Sequence, residues 1–275
     1  MGAPIFARTD DPGAWAEAVR AAGYRAAYCP VDESADDHTV SAYAEAARRA
    51  DIVIAEVGAW SNPLDPDEKR RSAAIALCRA RLALAERLGA RCCVNIAGSR
   101  GEKWDGPCAL DLTEESFEMV VETTRRIIDA VKPRRTFYTL EPMPWMYPDS
   151  PDSYLRLLAA VDRPACAVHL DPVNMICTPR RYFRNGAFLG ECFDKLGPRI
   201  RSVHAKDIAI RAGFTLHLEE VAPGKGELDY RAFLRGVAGL DPDMPLMLEH
   251  LEREEEYREA ADYVRHVAGE LAIEF

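Results

Sequence analysis

The chain has 275 residues, 48% of them hydrophobic and 29% charged, which suffices to fill one sizeable core the size of a single α/β barrel. Its 35 Lys+Arg stand against 45 Asp+Glu, for a formal net charge of −10. An acidic surface repels phosphate backbones and anionic lipid, so nucleic acid and membrane are not expected as partners.

The eight cysteines form no CxxC pair, which argues against a zinc knuckle or a thioredoxin-type motif. The opening MGAPIFARTD shows no basic stretch followed by a long apolar one, and no apolar run nears the ~20 residues of a membrane helix. A reduced, cytoplasmic protein is expected.

In chain order, residues 4–7 read as a first short strand. Asp11-Pro12 starts a helix with Trp15, Ala18, Val19 and Ala22 on its buried face, ended by Gly23. Residues 25–29 and 52–57 are the second and third strands, and Trp60 and Asn62 follow the latter. Ile75, Cys78, Leu82, Ala85 and Leu88 recur at helical spacing up to Gly89. Residues 91–96 form the fourth strand, with Trp104 in the loop beyond. Thr113 caps a helix burying Phe117, Val120, Val121, Thr124, Ile128 and Val131. Residues 136–141 are the fifth strand, followed by Trp145. Ser150-Pro151 opens the helix of Tyr154, Leu157, Leu158 and Val161, and residues 166–171 are the sixth strand. Leu189, Cys192, Phe193 and Leu196 mark another helix before the seventh strand, 200–205, and a long loop. The eighth strand is 245–249, and the last helix buries Tyr257, Ala261, Val264, Ala268 and Leu271.

The strands are short and continuously apolar, as parallel strands covered on both faces are. Eight β-then-α units without a Pro/Gly/Ser-rich linker point to a single (β/α)₈ TIM barrel spanning residues 1–275. An open doubly wound sheet is the alternative, but its G-x-G-x-x-G turn is absent after the first strand.

Four successive strands end in an ionisable group: Glu141, Asp171, His204 and Glu249. In a parallel barrel those ends ring one mouth. Any one of them could cap a strand or pair with a basic neighbour. Three carboxylates and an imidazole in one register call for a cation. One divalent ion is expected, Mn²⁺ first, with Mg²⁺, Co²⁺ and Zn²⁺ open.

Leu140-Glu141-Pro142, His169-Leu170-Asp171-Pro172, Val203-His204-Ala205-Lys206-Asp207 and Leu248-Glu249-His250 resemble the four ligand motifs of the xylose isomerase-like barrels. That group includes sugar phosphate isomerases and epimerases, the tagatose 3-epimerases and endonuclease IV. The stretch from Pro223 to Tyr230 resembles the group's glycine-rich turn. The resemblance implies that Glu141 and Glu249 are also the catalytic acid/base pair, working through a metal-stabilised enediolate on a keto- or aldo-sugar or an oxidised derivative. A lyase would use the same enolate for β-elimination on an oxo-sugar or 3-oxo-glycoside. An endonuclease IV-like activity and a non-catalytic sugar-binding role rank below both. Homo-oligomerisation is expected from the resemblance alone.

The chain departs from the tagatose-type pattern, with Asn174 where those epimerases carry histidine and Ile210 where they carry arginine. Candidate substrate contacts are Trp60, Asn62, Trp104, Trp145, Asn174, Lys206, Asp207 and His217, since aromatic walls over a polar floor hold sugars. His169 reads as an internal, hydrogen-bonded histidine. Arg180, Arg181 and Arg184 form a basic cluster that could bind a substrate phosphate or carboxylate or equally be a solvated face or a subunit contact, and it is not named as a site.

Overall fold

The computed structural model describes residues 1–7 and 10–274. Its helices start and stop where local chemistry directs. The Asp11 carboxylate accepts the Ala14 N–H ahead of α1 (Pro12–Ala21), whose buried face is Trp15, Ala16 and Val19. Ala22, expected on that face, is exposed because it lies past the last turn. The long α3 (Glu68–Leu88) buries Ile75, Cys78, Leu82, Ala85 and Leu88, and stops at Gly89 in the left-handed region. Each fully buried aliphatic side chain of such a stripe contributes about 1.5–3 kcal/mol. Ser150 and Ser153 form a reciprocal capping box at α5 (Pro151–Val161).

Seven parallel strands form the barrel wall: β1 (Ala26–Tyr28), β2 (Val53–Gly58), β3 (Cys92–Asn95), β4 (Tyr138–Leu140), β5 (Cys166–Leu170), β6 (Ile200–Ala205) and β9 (Leu246–Leu248). They hydrogen-bond in that order. α1 precedes β1; between the strands run α2 (Asp37–Arg49), α3, α4 (Glu114–Val131), α5, α6 (Pro179–Phe183), α7 (Asn185–Leu196) and α8 (Tyr230–Ala238), with α9 (Glu254–Glu270) last.

The first strand is not at residues 4–7. Gly2 takes that place instead, bridging in parallel to Ala26 on one side and Met247 on the other. Its N–H donates to the Leu246 carbonyl at 2.9 Å, and its carbonyl accepts the Leu248 N–H at 2.9 Å. A Cβ at Gly2 would lie 2.2 Å from the Ala26 carbonyl oxygen. The backbones approach so closely there that only glycine fits, and the apolar run at 4–7 lies past the wall.

The long loop expected after the seventh strand is a two-stranded antiparallel hairpin, β7 (Asp207–Arg211) and β8 (His217–Val221). It places Glu220 opposite Ile208, next to the C-terminal end of β6. Two short 3₁₀ turns complete the fold, at Val173–Met175 and Gly197–Arg199. No helix among the described residues is long and apolar enough to cross a membrane.

Candidate metal centre

The parallel wall sends all strand C-termini to one pole. Glu141 directly follows β4, Asp171 follows β5, His204 lies within β6 and Glu249 follows β9. Each contributes one ligand-type atom, and the four atoms lie within 4.8 Å of one another. His204 Nδ1 is 2.7 Å from Glu249 Oε1, 3.5 Å from Glu141 Oε1 and 3.8 Å from Asp171 Oδ2. Glu141, Asp171 and His204 are buried, and the Glu249 side chain is 11% exposed.

A buried ammonium reaches the same oxygens. Lys206 Nζ lies 2.6 Å from Glu249 Oε1, 2.8 Å from Asp171 Oδ2 and 3.6 Å from Glu141 Oε1. It also lies 3.3 Å from Glu220 Oε2 on the hairpin. Glu220 Oε1 in turn sits 3.0 Å from His250 Nδ1.

Beneath the cage lies a residue that sequence reasoning missed. Glu56 of β2 is 1% exposed, with Oε1 3.1 Å from His204 Nε2 and Oε2 3.3 Å from His169 Nδ1. The two imidazoles meet edge to face, with centroids 4.0 Å apart. The available signal was a lone acid inside the apolar run Ile52-Val53-Ile54-Ala55-Glu56-Val57, a charge that burial tolerates only with partners. His169 is internal as expected, but neither of its ring nitrogens has a partner in hydrogen-bonding geometry.

The profile of the xylose isomerase-like TIM barrel family matches residues 16–267. The chain belongs to this family. Among solved structures it is similar to endonuclease IV from Thermus thermophilus, at 19% identity and a TM-score of 0.72, with 98% of each chain covered. It is also similar to D-psicose 3-epimerase with D-tagatose from Clostridium cellulolyticum H10, at 16% identity and a TM-score of 0.67, covering 94% of this chain and 93% of that one. A xylose isomerase-like TIM barrel protein from Mycobacterium smegmatis in complex with magnesium aligns at 15% identity and a TM-score of 0.65, covering 94% and 88%. At such identities the likeness establishes the fold alone. No curated protein matches the chain.

The residues of this xylose isomerase-like barrel fit a divalent cation. Asp171 Oδ2, His204 Nδ1, Glu249 Oε1 and Lys206 Nζ are all buried and lack a partner in hydrogen-bonding geometry. A set of three carboxylate oxygens and one imidazole nitrogen suits a hard or borderline ion. Burial and neighbouring charges pull these groups in opposite directions. Burial pushes the Glu141 carboxyl up, and the neighbouring Glu249 charge adds to the rise. Burial also opposes ionisation of Asp171 and Glu249, yet Lys206 holds the first well below the usual carboxylate range and His204 does so for the second. Burial disfavours the imidazolium of His204, but Glu249, Glu56 and Glu141 together raise its pKa well above the ordinary value.

The other candidates divide. Asn174 Nδ2 donates to Glu141 Oε1 at 3.0 Å, so Asn174 and Lys206 both touch the cage. Trp60 and Trp104 are each 43% exposed. Trp145 donates its indole N–H to the Asp105 carbonyl at 2.6 Å. Three further candidates for substrate contact are placed as follows. The Asn62 amide is bonded to the backbone of Ser99 and Leu64, tying the loops after β2 and β3 together. Asp207 accepts backbone N–H groups from Ile208, Gly224, Gly226 and Leu228, anchoring the glycine-rich turn. His217 is exposed at the outer end of β8, opposite Arg211, about 10 Å along the strand from Glu220.

Proposed function

We propose that the protein is a divalent-metal-dependent sugar isomerase or epimerase, acting on a keto- or aldo-sugar or an oxidised sugar derivative. The observation that carries this reading is the convergence of Glu141, Asp171, His204 and Glu249 on one buried point at the mouth of the barrel. Those four residues would hold the ion, with Mn²⁺ preferred. A divalent cation there supplies Lewis-acid polarisation of a substrate carbonyl and stabilises the negative charge that develops beside it.

The chain's own groups do the proton work. Glu141 and Glu249 come from strands on different sides of β5 and β6, so they reach a bound carbon from two directions. One carboxylate removes the proton next to the carbonyl, and the other returns one from the opposite face. Acid–base assistance of this kind is worth ~10²–10⁴-fold. Asn174 fixes the Glu141 carboxylate through its 3.0 Å hydrogen bond. Lys206, tied to the hairpin through Glu220, places a positive charge beside the substrate oxygens. Trp60 and Trp104 offer partly exposed aromatic faces for a sugar ring.

Asn174 and Ile210 distinguish this site from the tagatose-type pattern. Ile210 is 42% exposed on β7 and carries no charge to grip a hydroxyl. The substrate is therefore proposed to differ from a plain ketohexose. The −10 charge argues against a nucleic acid substrate.

The test is incubation of the metal-loaded protein with a panel of keto-sugars in D₂O, followed by NMR. Deuterium is expected at the carbon beside the carbonyl, and Glu141→Gln and Glu249→Gln are each expected to slow exchange by ~10²–10⁴-fold. Exchange accompanied by loss of a substituent identifies the lyase instead. Unchanged exchange in both variants overturns the assigned pair.

A further inference from the structure

We infer that Glu56 is a positioning residue for the metal centre, holding the His204 imidazole so that Nδ1 faces Glu141, Asp171 and Glu249. The inference rests on the metal reading above and concerns a residue outside the four-residue cage. His204 has two ring nitrogens, and the structure gives them opposite surroundings. Nδ1 faces the three carboxylates of the mouth, while Nε2 is 3.1 Å from Glu56 Oε1. A histidine that donates one N–H to a carboxylate is fixed in tautomer and ring orientation, and its other nitrogen becomes a better metal donor.

The surroundings leave Glu56 with this role and little else. It lies on β2 across the wall from β6, next to the buried Ala55 and Val57 and opposite Cys92 on β3. Its second oxygen faces His169 Nδ1 at 3.3 Å. Each carboxylate oxygen thus has one imidazole in front of it, and the His169 ring packs edge-on against His204 at 4.0 Å. Rotation of His204 is blocked on one side by that ring and on the other by the attraction of Nε2 to Glu56. The placement is made by β2, which approaches the cage from the wall opposite its four ligand strands.

Glu56, His169 and His204 also lie within 4.8 Å of one another and offer three ligand-type atoms. A second ion there would take His204 Nε2 as a ligand and leave Glu56 no N–H to accept, so one ion per chain is a requirement of the inference.

The experiment combines calorimetric titration with MnCl₂ and ¹⁵N-histidine NMR of the MgCl₂-loaded protein. The wild type is expected to bind one ion, with a proton on His204 Nε2 and none on Nδ1. Glu56→Gln, folded by circular dichroism, is expected to bind Mn²⁺ 10–100-fold more weakly, and Glu56→Asp to recover part of the loss. Unchanged affinity in folded Glu56→Gln overturns the inference while leaving the metal reading intact. A wild type that binds no ion defeats the metal reading itself. If Glu56→Gln does not fold, the wild-type spectrum decides, since a proton on Nδ1, or two ions per chain, overturns the assignment.

Discussion

At the scale of single residues, the cage is a contest for three oxygen atoms. Glu249 Oε1, Asp171 Oδ2 and Glu141 Oε1 face both His204 Nδ1 and the Lys206 ammonium. A divalent ion held by Glu141, Asp171 and Glu249 would compete with Nζ for these oxygens and displace it, and Glu220 Oε2, 3.3 Å from Nζ, is a further acceptor for the ammonium. Lys206→Met removes the resident cation without adding bulk. The metal-free variant is expected to melt earlier than wild type, because buried carboxylates lose their partner, and to show the larger rise in melting temperature on adding Mn²⁺. A thermal-shift series with and without metal checks this, and equal rises in both proteins contradict the displacement. Protons enter the same contest. The His204 pKa stands well above its ordinary value and Glu141 is also raised, so the metal-free cage holds protons that a bound ion must expel. Metal affinity is therefore expected to strengthen as pH rises through neutrality. Titrations in buffers of different ionisation enthalpy should register net proton release.

At the scale of elements, the hairpin β7–β8 is the part that the strand pattern did not announce. Its sequence is polar and interrupted, and its outer residues Phe214 and Leu216 are exposed, so neither face carries a clean buried alternation. Its geometry depends on Asp207, whose carboxylate accepts backbone N–H groups from Gly224, Gly226 and Leu228 across the turn that follows β8. Asp207→Asn keeps the shape but replaces one acceptor oxygen by a donor facing those amides. The cost is expected to be about 1–3 kcal/mol, the penalty for buried groups left unpaired, seen as a lower denaturant midpoint. An unchanged midpoint would show that the turn holds itself. Gly2 teaches the same lesson in another form. Two residues stand for a whole strand: Gly2 bonds the β9 side, the Met1 carbonyl accepts the Arg25 and Ala26 N–H groups on the β1 side, and the lack of a side chain at Gly2 permits the approach.

At the scale of the molecule, the barrel brings together groups that are far apart in the chain. Glu56 and His204 are separated by 148 residues and meet at 3.1 Å. Because the native state alone assembles the site, metal binding should stabilise the whole fold by mass action. An ion at a hundred times its dissociation constant contributes about 2.7 kcal/mol. Melting temperature is expected to climb with metal concentration and to fall back after chelation. A melting point indifferent to metal would separate the site from the fold's stability. The family and the fold are established by residues 16–267 and by structures at low identity, whereas the reaction rests on the chemistry of this mouth.

The sequence by itself determined the alternation of strand and helix, the helix caps at Asp11, Thr113 and Ser150, and the four strand-end residues. These are local signals: periodicity, a capping side chain and a polar group closing an apolar run. Tertiary structure alone decided three other things. Barrel closure falls on Gly2 rather than on residues 4–7, because the approach of two neighbouring strands, not apolar character, selects the position. The partners of Asn62 and Asp207 were also decided there, because they are backbone groups brought up by distant turns. Glu56 belongs to the centre, because nothing near it in sequence shows that a histidine from the far wall will arrive at its carboxylate.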